Sequence, residues 1–344
     1  MSMRFSFCGN FGLIKDKPLV EEGTSRNGKP YAKIKFGVNS GSDRAYVEAF
    51  AGVQDEIKIT DRQGNKLDIA WEDRLNPDIV SNSTRVYVCN FGERKTFLSQ
   101  YDQISYLSTV LAGYKGKIIV TGYMNKSYYE GKWYDNYTIQ NVYAANDADK
   151  PRLLVSGNII FNRDSLDNSA YKSSGIMTVT GYTEQYMDKD HPNALVPQTC
   201  VLNISKLNRE DPAQDKAVKL RETFLIPKSK GWTHSSWEFI LKNGQEEIEF
   251  DESQLTDLQK LALETGQYTL DDFKPTKRIY GEKITQLRMY RPMLRDEFVG
   301  GPVPYGDDAT VEALIYRPGV VKSVETVDDG ILGLGSSDVD DLFA

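Results

Sequence analysis

A mainly β chain built as two small barrels is the fold that the sequence predicts, and two observations carry it. The first is a repeat. Arg4-Phe-Ser-Phe-Cys-Gly-Asn-Phe-Gly-Leu-Ile-Lys-Asp16 and Arg152-Leu-Leu-Val-Ser-Gly-Asn-Ile-Ile-Phe-Asn-Arg-Asp164 share Arg, Gly, Asn and Asp in register, 148 residues apart, with Lys15 against Arg163. Each copy opens a stretch long enough for a domain, and Asn146-Asp-Ala-Asp-Lys-Pro151 between them has the polar, proline-ended composition of a linker. The second is the order of elements in the first half, where strand patterns surround a single helix.

Tyr31-Ala-Lys-Ile-Lys-Phe-Gly-Val38 alternates strictly, with Ala32, Ile34, Phe36 and Val38 on one face and Tyr31, Lys33 and Lys35 on the other. One face is core; the other is basic and aromatic. Arg44 to Phe50 is a further strand, and Glu56 to Trp71 forms a hairpin turning at Gln63-Gly64-Asn65. Tyr101 to Ala112 has helical spacing through Ile104, Leu107 and Leu111 and stops at Gly113, which suits a glycine cap. Lys117 to Tyr123 is again a strand. Tyr128-Tyr-Glu-Gly-Lys-Trp-Tyr134 reads as a hairpin turn, and Tyr137 to Tyr143 as the closing strand. Three strands, a helix and two strands is the order of the OB-fold, a five-stranded Greek-key barrel that commonly binds oligonucleotides.

The second half yields strands over Ile176–Tyr182, Thr199–Ser205, Val218–Ile226, Trp237–Lys242 and Lys283–Tyr290, and a helix over Ser253–Glu264 with Ser253 as N-cap and Gly266 beyond its end. The expected organisation is an OB-fold domain over 1–148, a divergent OB-like domain over 151–295, an irregular Gly/Pro-rich connector over 296–320 and a disordered acidic tail over 321–344. The tail carries six acidic residues against one lysine and ends Asp-Val-Asp-Asp-Leu-Phe-Ala. Such a segment cannot build a core, so it is expected to be held by a partner.

The net charge of −7 at first opposes a nucleic-acid binder, but without Val321–Ala344 the body carries 41 basic and 43 acidic residues. A near-neutral body can hold a basic groove, because binding depends on local charge. Cys8, Cys89 and Cys200 are odd in number and lack Cys-x-x-Cys spacing, and His191 and His234 are the only histidines, so neither a disulfide framework nor a zinc site is expected. No run of about 20 apolar residues marks a membrane span and the N-terminus shows no signal peptide, so the chain reads as cytoplasmic. Walker-type loops, His pairs at metal spacing and nucleophile elbows are missing, so an enzyme is not expected and no cofactor is implied.

Single-strand binding needs cations along a phosphate backbone and flat rings for bases. Basic and aromatic residues interleave at Tyr31, Lys33 and Lys35, and at Lys126, Tyr128, Tyr129, Lys132, Trp133 and Tyr134. Tyrosine and tryptophan also favour strands and half-buried surface, so each taken singly fits a structural role equally well. A hairpin tip with four large rings, however, has no evident core to bury them.

The first half resembles the bacterial and phage single-stranded DNA-binding proteins. Arg4-x4-Gly9-Asn10-x5-Asp16-Lys-Pro18, Asn27-Gly28, Ala32 and Phe36 are similar to the family's first two strands. Tyr46-Val-Glu-Ala-Phe-Ala-Gly52 is similar to its third, with Tyr46 and Phe50 near ring positions that stack on bases. Leu107 to Tyr114, Lys115-Gly116-Lys-Ile-Ile-Val-x-Gly122, and Lys126-Ser-Tyr128 through Tyr137-Thr-Ile match the helix, the fourth strand and the fifth-strand hairpin, and Tyr128 falls where the family often has a stacking tryptophan. The resemblance reaches the second half only through the Arg-x4-Gly-Asn repeat. It implies a phage protein, working in the bacterial cytoplasm, that coats unwound DNA without chemistry. It also implies recruitment of replication or recombination proteins through Asp338, Asp340, Asp341, Leu342 and Phe343. Two features depart from the family: residues 55–100 are an insertion, and Leu342 and the trailing Ala344 stand where the family has Pro and a terminal Phe. Two barrels per chain allow either a sufficient monomer or a homodimer. The competing reading is a non-catalytic adaptor in a replication or virion assembly.

Overall fold

A computed structural model describes residues 3–227, 231–248, 250, 252, 255–275 and 279–318. The chain opens with β1 (Met3–Gly12), β2 (Val20–Thr24), β3 (Pro30–Ser40) and β4 (Asp43–Gly52). Alternation sends Phe5, Phe7, Ile34, Phe36, Val38 and Val47 inward. The insertion follows as a separate hairpin, β5 (Glu56–Thr60) and β6 (Lys66–Ala70), then α1 (Pro77–Asn82), β7 (Tyr87–Asn90) and β8 (Arg94–Phe97). It has its own small core, with Ile57, Ile59 and Leu98 packed against Ile69, Trp71, Ile79, Val80 and Val86. Next come α2 (Gln100–Val110), β9 (Lys117–Tyr129) and β10 (Lys132–Ala144).

The pairings close a ring. β1 joins β3, β3 joins β4, β4 joins β10 in parallel, β10 joins β9, and β9 returns to β1. This circuit, with its parallel contact between third and fifth barrel strands, is the OB-fold. Helix α2 sits under it through fully buried Ile104 and Leu107, joined by the equally buried Leu111 at its C-cap. Gln100 and Gln103 donate their side-chain amides to the carbonyls of Ile139 (2.6 Å) and Gln140 (2.8 Å), where the β10 ladder shifts register. Carbonyls that the bulge would leave unpaired are thereby satisfied.

The second half repeats the plan with β11 (Arg152–Phe161), β12 (Leu166–Asp167), α3 (Tyr171–Ser174), β13 (Ile176–Gln185), β14 (Ala194–Asn203), α4 (Pro212–Thr223), β15 (Trp232–Ile248), α5 (Asp257–Glu264) and β16 (Ile279–Pro292). Its ring runs β11, β13, β14, β16, β15 and back to β11, with the β14–β16 contact again parallel.

The structure departs from three expectations. The strand expected over Val218–Ile226 is instead the end of α4 and the turn after it. Asp211 caps that helix by accepting from the Ala213 and Gln214 amides, Pro212 fills its first turn, and Val218 is buried while Leu220 is exposed, a helical rather than alternating split. The helix expected from Ser253 begins at Asp257, capped by Thr256 in a reciprocal box with Gln259; Ser253 itself lies outside the described residues. The stretch expected to be irregular carries a 3-10 turn (Asp296–Gly300), β17 (Val303–Gly306) and α6 (Asp308–Leu314), with β17 pairing to β15.

One antiparallel seam joins the two rings into a single sheet. β1 and β11 pair as Arg4↔Ser156, Ser6↔Leu154 and Cys8↔Arg152. The repeat offset makes Leu154 the counterpart of Ser6, so each strand pairs with its own equivalent, as across the isologous interface of a two-fold dimer. Docking is reciprocal too. From β15, Lys242 meets the Asp43 carboxylate at 2.7 Å, the Asn243 amide donates to the same carboxylate at 3.1 Å, and the Asn243 side chain donates to the Arg44 carbonyl at 2.8 Å. In return β9 lies against Gln185 of β13.

Candidate nucleic-acid interface

The outer face of β3 and β4 is where the alternation places Tyr31, Lys33, Lys35, Arg44, Tyr46, Glu48 and Phe50. The ladder sets Lys33 opposite Phe50 and Lys35 opposite Glu48. Phe50 is 51% exposed and Tyr46 40%, although both are large rings on a well-packed sheet. Tyr31 leans on Phe50 with ring centres 5.4 Å apart. It can do so because β2 presents Gly23 beneath it: a Cβ there would stand 2.5 Å from the Tyr31 hydroxyl. Glu48 draws the ammonium groups of Lys33 (3.8 Å) and Lys35 (3.1 Å) over the centre of the face. Arg44, which the sequence reading left out, extends the set. Its guanidinium lies 5.9 Å from the Tyr46 ring centre, and its Nε donates to Asn39. The signal was legible, since Arg44 shares the parity of Tyr46, Glu48 and Phe50.

The β9–β10 hairpin turns at Glu130 and Gly131, with φ of 45° and 81°. Both values match the type I′ turn that two-residue hairpins favour. Tyr128 and Tyr134 are exposed, as is Lys132, while Tyr129 is half-buried beside it in the ladder. Trp133 does not fit the expectation that the tip has nothing to pack on. It meets Tyr128 at 5.4 Å and Tyr316 at 6.2 Å, and Tyr316 meets His191 at 5.3 Å, so the hairpin rests on the second half of the chain. Lys126 is also spoken for. Its side chain is only 9% exposed, its ammonium pairs with Asp135 at 2.5 Å, and its main chain is bracketed by Gln185. Of the residues expected to bind, the structure thus groups Tyr31, Lys33, Lys35, Tyr46 and Phe50 on one open face. Tyr128, Tyr129, Lys132, Trp133 and Tyr134 form a second group at the junction of the two barrels.

Burial pushes the Cys89 and Cys200 thiols up to about 12, so neither is a nucleophile at neutral pH. Among the described residues no group of three or more His, Cys, Asp or Glu stands where it could hold a metal ion. The tail residues Asp338, Asp340, Asp341, Leu342 and Phe343 lie outside the described residues.

No family model matches the chain, and no curated protein does. Among solved structures it is similar to the wild-type single-stranded DNA binding protein from Thermus aquaticus, with 9% identity, a TM-score of 0.33, and coverage of 89% of this chain and 97% of that one. A deletion mutant of the same protein is similar at 10% identity and a TM-score of 0.33, covering 93% of this chain and 98% of that one.

Proposed function

We propose that this chain is a non-catalytic single-stranded DNA-binding protein that coats unwound DNA and recruits replication or recombination proteins through its acidic tail. The observation that carries the reading is the open face of the first barrel, where Phe50 and Tyr46 stand exposed beside Lys33, Lys35 and Arg44. Leaving such rings about half exposed forfeits part of the roughly 1.5 to 3 kcal/mol that full burial of each would give. Stacking on a base recovers a comparable amount, about 1 to 3 kcal/mol per ring, without reading sequence. The neighbouring cations supply phosphate contacts. In this reading residues 1–148 are the binding domain, 151–295 a divergent barrel, and the tail a docking segment for partners of a phage replication system.

The test is fluorescence titration of the full chain, and of a chain ending at Val320, with a mixed-sequence oligonucleotide, single-stranded and duplex, at two salt concentrations. Quenching, salt-weakened binding to the single strand alone supports the reading. An observation on α5 keeps the adaptor reading alongside: Leu258 is 76% exposed in a groove shared with Leu261, Tyr268 and Phe273, a surface suited to protein. No oligonucleotide binding by either chain would put the adaptor first.

A further inference from the structure

Taking the single-strand reading as its basis, we infer that the chain has one oligonucleotide face rather than two, because the segment Val303–Tyr316 and a change of surface residues have closed the equivalent face of the second barrel.

The ladders allow the two faces to be compared position by position. Gly12 pairs with Gly37, which pairs with Tyr46; Ile160, the repeat counterpart of Gly12, pairs with Tyr182, which pairs with Pro197. Stepping two residues at a time, Lys35 opposite Glu48 becomes Thr180 opposite Thr199. Lys33 opposite Phe50 becomes Thr178 opposite Val201, and Tyr31 becomes Ile176. Each cation and each ring of that set is replaced by an uncharged residue that is not aromatic. Stacking and phosphate contact, the two terms that drive sequence-tolerant binding, are both lost.

The other end of the face is covered. Glu184 and Leu195 correspond to Asn39 and Arg44 of the first barrel. Tyr305 donates its hydroxyl to Glu184 at 2.8 Å, and the Tyr316 amide donates to the Leu195 carbonyl at 3.0 Å. Leu195 is fully buried in a cluster with Ile160, Val311, Tyr182, Trp232, Leu314 and Ile315. The covering segment also holds the Asp308 carboxylate on this side, fixed by the Trp232 indole at 2.9 Å. Carboxylates held over the surface repel the phosphates that a binding groove has to receive.

The experiment is calorimetric titration of the full chain at low salt with a thymidine oligomer of about 10 nucleotides, short enough for one barrel, whose site sizes run about 4 to 16. One oligomer per chain is expected. The double variant Lys33→Glu, Phe50→Ala should lose affinity by roughly 100-fold or more, one stacking and one phosphate contact together. The variant Thr178→Glu, Thr199→Glu should bind within about twofold of the parent, since neither position carries stacking or phosphate contact. Thermal melts of both variants establish that they fold. Two oligomers per chain, or a comparable loss in the second-barrel variant, would overturn the inference while leaving the single-strand reading intact. No binding by the parent chain would remove that reading itself.

Discussion

Gln185 holds the main chain of Lys126 from both sides. Its Oε1 accepts from the Lys126 amide at 2.6 Å, and its Nε2 donates to the Lys126 carbonyl at 2.8 Å. A buried side chain of the second barrel thereby stands in for a strand partner of the first, 59 residues away in sequence. Replacing it with alanine leaves a donor and an acceptor without that partner. Gln185→Ala should therefore cost about 1 to 3 kcal/mol, read as a lower urea midpoint with an unchanged slope.

The reciprocal contact depends on a glycine. A Cβ on Gly244 would meet the Ser42 carbonyl oxygen at 2.0 Å, and backbone cannot yield as a flexible side chain does. Gly244→Ala should push β15 off the β3–β4 turn and strain the Lys242–Asp43 pair, destabilising by about 1 to 3 kcal/mol. Calorimetric melting would detect it; an unchanged midpoint would show that the contact is slack.

His234 predicts a pH dependence. It is enclosed by Phe298 and Tyr305, and desolvation lowers its pKa from the ordinary value, partly opposed by the carboxylates of Glu297 and Glu184. With the folded value below the unfolded one, the unfolded chain takes the proton first. Stability should be full above the unfolded pKa of about 6.5 and fall as pH drops through the lower folded value. Urea midpoints from pH 8 to 5 should fall more steeply for the parent chain than for His234→Gln, which cannot titrate.

On the binding face, rings and cations should separate by their salt response. Phe50→Ala should weaken single-strand binding by about 1 to 3 kcal/mol with little change in salt slope. Lys33→Ala should instead reduce the slope by about 0.7, the contribution of one phosphate contact on a single strand. Neither should lower the melting temperature appreciably, since both side chains stand outside the core.

Removal of Val321–Ala344 takes away a net charge of −5. If the tail competes with phosphates for the face, the shortened chain should bind an oligonucleotide more tightly at low salt, and the two chains should converge as salt screens the charge. Equal affinity at every salt would leave the tail to partners alone.

Much of this was written locally. Period-2 alternation in Tyr31–Val38 is a property of neighbouring residues, so it announced both the strand and its exposed basic-aromatic side. The helix through Ile104, Leu107 and Leu111 and the Glu130-Gly131 turn are local in the same sense, and the repeat shows when two such local segments, 148 residues apart, are set side by side. Over Val218–Ile226 local patterns compete: Val218 and Leu220 mimic alternation, although the Asp211-Pro212 cap nearby signals a helix. What only the tertiary structure decided depends on long-range pairing. It seated Trp133 against Tyr316, spent Lys126 on Asp135 and Gln185, matched Ser6 to its own counterpart Leu154, and folded Val303–Tyr316 across the second barrel. Those contacts are chosen by shape and burial between segments far apart in the chain, and composition and spacing along one segment do not encode which distant surface it will meet.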